Sequence, residues 1–106
     1  MSQTISITAI ASVSPLGNDS ETIWNKYQNP NPCFQQHFLD QKETWVGALD
    51  DNSKAQVAAL RVSDSKYNSL DNSVLYAMLA SRQAIAKAAW SKNDSFGINI
   101  GSSRGA

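Results

Sequence analysis

The stretch LDNSVLYAMLASRQAIAKAAW, residues 70–90, constrains the fold more than any other part of this chain. Apolar side chains recur there at Val74, Leu75, Met78, Leu79, Ile85, Ala86, Ala89 and Trp90, a period near 3.6 that predicts an amphipathic helix. Leu70, Asp71, Asn72 and Ser73 supply its start, and Ser-Lys-Asn-Asp-Ser at 91–95 stops it. Ala77, Ala80, Ala84 and Ala88 raise helix propensity and let a neighbouring element approach closely. An apolar stripe of that length needs a layer against it, so the rest of the chain must supply a sheet or further helices.

The flanking sequence favours a sheet. Residues 4–13, TISITAIASV, alternate with Ile5, Ile7, Ala9, Ala11 and Val13 on one side and Ser6, Thr8, Ile10 and Ser12 on the other. This predicts a strand whose second side is small enough to lie under helices. Ser-Pro-Leu-Gly at 14–17 then turns the chain, and Asn18 as N-cap with Glu21 three residues on predicts a short helix carrying Ile23, Trp24 and Tyr27. Asn-Pro-Asn-Pro at 29–32 ends it, because proline lacks the backbone donor and clashes with the preceding turn. Between 33 and 65 the pattern supports one strand, Thr44 to Leu49, and a polar tract from Asp50 to Lys54. A last strand opens at Phe96. The order strand, helix, strand, long helix, strand predicts an α/β layer fold, with a right-handed crossover if the first and last strands are parallel.

Composition limits the function classes. Nine basic and nine acidic side chains cancel, so the electrostatic footprint of a nucleic-acid binder is missing. The longest apolar runs are a few residues, against roughly 20 needed to span a bilayer, so no membrane role is expected. The N-terminus has no secretion-signal pattern and the single cysteine allows no internal disulfide, which together predict a soluble cytoplasmic protein.

Four groups of residues invite a chemical reading. Gly97, Gly101 and Gly105 recur around Ser102, Ser103 and Arg104, but the spacing fits neither phosphate-binding glycine pattern. Cys33 and His37 could form an activated thiolate, yet no helix N-terminus is indicated to lower the cysteine's pKa, and two ligands are too few for zinc. Asp40, Glu43, Asp50, Asp51, Asp64 and Asp71 read as solvated or helix-capping carboxylates. Asn18-Asp19-Ser20 and Asn93-Asp94-Ser95 match the glycosylation sequon but read as turn and cap chemistry. No metal or cofactor is expected.

ITAIASVSPLGND at 7–19 resembles the opening of the β-ketoacyl synthases, matching Ile7, Thr8, Val13, Ser14, Pro15, Leu16 and Gly17 in register, with Trp24 on the helix that follows. The Ala-rich helix at 70–90 and GINIGSSRGA at 97–106 are similar to that family's next helix, strand and glycine-rich loop. The resemblance covers roughly 4–27 and 66–106. It implies a partial thiolase-like α/β fold, a sheet with packed helices that is incomplete over residues 1–106. The implied activity is decarboxylative Claisen condensation of acyl and malonyl groups on acyl carrier protein, in fatty-acid or polyketide synthesis. The implied partners are acyl carrier protein and a second synthase subunit, as homodimer or heterodimer. The family's nucleophilic cysteine and its histidines would lie beyond residue 106, so this segment carries no catalytic residue of its own and is expected to be inactive alone. Its terminal loop would line or support the acyl pocket.

Three departures bear on that pocket. Ala9 and Ala11 stand where the family commonly has glycine, and Ser103 and Ala106 replace loop glycines. Arg104 stands where an uncharged residue is usual, and a guanidinium there would shorten or polarise the pocket, or else face solvent or an interface. A non-catalytic partner subunit and a small α/β binding module are the alternative readings.

Overall fold

The computed structural model describes residues 3–103. They form a small mixed α/β chain of three helices and one two-stranded antiparallel sheet. The first helix, Ser20–Gln28 (α1), starts one residue later than the capping pattern suggests. Asp19 is its N-cap, its carboxylate accepting the Thr22 backbone N–H at 2.9 Å. Asn18 points the other way, into the protein. The helix ends at Asn29, where the proline run begins.

Two strands follow, Gln35–Leu39 (β1) and Lys42–Val46 (β2), paired from Gln35 opposite Val46 to Leu39 opposite Lys42. The expected strand at Thr44–Leu49 therefore begins earlier, ends sooner, and has a partner the sequence did not announce. Asp40 and Gln41 link the strands with φ of 49° and 64°. Positive φ at both central positions matches the twist of a hairpin, and neither residue is glycine.

The polar tract at 50–54 is the start of a helix, Asp51–Ser63 (α2), which the sequence pattern did not reveal. Asp50 caps it by accepting the Ser53 N–H at 3.2 Å. A single 3₁₀ turn, Ser65–Tyr67, capped by Asp64, leads to the long helix Asn72–Ala88 (α3), whose N-cap is Asp71. Just past α3, Ala89 adopts φ 58°, and its N–H reaches the Ala86 carbonyl while Trp90 N–H reaches that of Ile85. This is a Schellman ending with alanine where glycine is usual.

The core is small and lies between α2 and α3. Val57, Leu60 and Leu75 are buried, Leu75 completely, with Leu49, Tyr67, Leu70, Tyr76, Met78 and Leu79 packed around them. Arg61 fastens the connection by donating to the carbonyls of Asn68 and Leu70 at 3.0 and 2.8 Å and to the Asn72 side chain.

The ladders expected at 4–13 and after Phe96 do not form among the described residues. Besides the hairpin there is one isolated bridge, Ser14 to Gly17. A strand needs a paired strand to make a ladder, and neither segment pairs with one among the described residues; Ile5 is 94% exposed and Ile98 76%. The radius of gyration is 16.7 Å, against about 13 Å for a compact domain of this length. No helix among the described residues is long and apolar enough to cross a membrane.

Candidate functional site

The turn at Ser14–Gly17 is the point where separate parts of the chain meet. Ser14 and Gly17 exchange backbone hydrogen bonds of 3.2 and 2.9 Å, and the Ser14 hydroxyl accepts the Leu16 N–H at 3.2 Å. Gly17 has φ 116°, a conformation L side chains rarely adopt, and a Cβ there would stand 2.9 Å from Thr22 Cγ2. Pro15 lies over Gly47 at the end of the hairpin, where a Cβ would come within 3.0 Å of its Cγ. The turn thus needs glycine at 17 and is met by another at 47.

Asn18 completes the junction. It is 5% exposed, and its side-chain amide donates both protons, one to Ser53 Oγ and one to Gln56 Oε1, each at 2.9 Å. Ser53 is itself fully buried in the first turn of α2. A buried amide without partners is costly, so this pair of bonds fixes the start of α1 against α2.

Beside the junction, Ile10, Ala11, Ile23, Trp24, Tyr27 and Lys87 border an open groove of about 370 Å³. Trp24 and Tyr27 lie one turn apart with ring centroids 6.2 Å apart and nearly parallel planes. Lys87 of α3 reaches across to donate to the Ile10 carbonyl at 3.2 Å. A smaller hollow of about 100 Å³ is bordered by Thr8 and Ala9 on one side and Ala84, Ile85, Ala88 and Trp90 on the other, so the small-residue face of α3 lies against the first segment.

Cys33 is a free, half-buried thiol beside Phe34 and Pro32, whereas His37 sits exposed on β1, near Gln35 Oε1 at 3.4 Å, and borders a different hollow with Val13 and Gly47. The structure does not join them as a pair. Asp50, Asp64 and Asp71 are helix caps, as the sequence suggests, and Asp40 is in the hairpin turn. Two carboxylates are held below the ordinary range. The Thr22 backbone N–H stabilises ionised Asp19, and the Ser73 hydroxyl followed by its backbone N–H does the same for Asp71. Among the described residues no group of three or more His, Cys, Asp or Glu could hold a metal ion.

Gly97 and Gly101 stand in open space: a Cβ at either would meet nothing within 4 Å among the described residues. Arg104, which the resemblance would set near an acyl pocket, lies outside the described residues. Of the two sequons, Asn18 is spent on the junction, and Asp94 turns back to accept the Ser91 N–H at 2.7 Å. Sequence reasoning missed Ser53 and Gln56 as the partners of Asn18; only a helix assignment over 51–63 could have suggested them. No family model, curated protein or solved structure matches the chain.

Proposed function

We propose that this chain is the N-terminal framework of a β-ketoacyl synthase-like condensing enzyme, with a thiolase-like fold completed by further polypeptide. One observation carries the reading: the segments that resemble the family's first and next strands leave their isoleucines uncovered and form no ladder among the described residues. Ile5, Ile7, Ile98 and Ile100 are all strongly exposed, a large uncovered apolar surface for a lone chain. The extended radius of gyration fits the same picture, as does the tight Ser-Pro-Leu-Gly turn within the quoted resemblance.

In the reaction, a cysteine thiolate supplied by the remaining polypeptide takes the acyl group from one acyl carrier protein. Decarboxylation of a malonyl thioester on a second releases CO₂ and leaves a carbanion. The carbanion attacks the acyl-enzyme, forming the new C–C bond and returning the thiolate. The residues here touch none of these atoms. Their part is framework: the Asn18 junction fixes the start of α1 against α2.

The test is incubation of the full gene product with acyl- and malonyl-acyl carrier protein, following CO₂ release and the acyl-enzyme thioester by intact-mass spectrometry. Both are expected, and neither from residues 1–106 alone. Thioester formation by the short chain purified by itself would overturn the reading, and so would a full product that neither condenses nor associates with an active synthase. Stable association without a thioester would make it the partner subunit instead.

A further inference from the structure

We draw no further inference here: the strongest candidate, the open apolar groove between the first segment, α1 and α3 where Trp24 and Tyr27 stack beside Lys87, is an uncovered face, and nothing in the structure shows what covers it.

Discussion

The side-chain amide of Asn18 donates to the hydroxyl of Ser53 at 2.9 Å, joining the start of one helix to the first turn of another across 35 residues of chain. Its second proton goes to Gln56, so both donors are used. Asn18→Ala leaves the buried Ser53 hydroxyl and the Gln56 carbonyl without this partner and should cost about 1–3 kcal/mol. The urea midpoint of the dilute chain measures it. In a double-mutant cycle with Ser53→Ala, a coupling below about 0.5 kcal/mol would show that the contact is not a stabilising one.

Gly17 is held at φ 116° with Thr22 Cγ2 in the space a Cβ would need. Gly17→Ala is therefore expected to destabilise by about 1–3 kcal/mol through backbone strain and the clash. Thr22→Ser removes only the methyl, so it should recover part of the loss and leave the strain. Full recovery in the double variant would mean that the backbone conformation costs nothing.

Ala89 occupies the left-handed position of the Schellman ending of α3. Glycine adopts that conformation without the Cβ penalty, so Ala89→Gly should stabilise by about 1 kcal/mol. This gain sits outside the helix proper, where glycine would weaken it. A lower melting temperature in this variant would contradict the geometry at Trp90 and Ile85.

Leu75 is the side chain at the centre of a core with few members. Leu75→Ala should cost about 2–5 kcal/mol, enough to dissolve the contact between α2 and α3 in so small an assembly. Loss of helical circular dichroism at room temperature is the expected readout.

Acid should loosen the caps of α1 and α3. Asp19 and Asp71 have folded pKa values below the ordinary 3.8, so their contribution is fully present above that value and is lost as pH falls through the lower folded values. Asp19→Asn with Asp71→Asn should flatten the dependence of stability below about pH 4, since asparagine caps without titrating. An unchanged acid limb in unfolding curves would assign it to other carboxylates.

How much of this was legible in the sequence follows from which signals the chain displays. The helix α3 was readable because Asp71 and a sustained 3.6-residue pattern announce it. The helix α2 was not, since its buried face is only Ser53, Val57 and Leu60, and a polar first turn conceals the period. The hairpin is legible only in part: alternation near Thr44 is visible, but Asp40-Gln41 lacks the glycine that usually advertises such a turn. At the N-terminus the alternation of 4–13 is plain while its ladder depends on neighbours no local pattern can specify. The cap of α1 lies one residue past the capping pattern, at Asp19, because the Asn18 amide is bonded to Ser53 and Gln56 instead. As for the site, the residue that the resemblance singles out, Arg104, lies outside the described residues.

The junction at Asn18 also orders events in time. As the polypeptide leaves the ribosome, that amide cannot make its native bonds until Ser53 and then Gln56 have emerged, so the junction closes only after the intervening hairpin has been made. A chaperone that shields the first two dozen residues would have that interval in which to act.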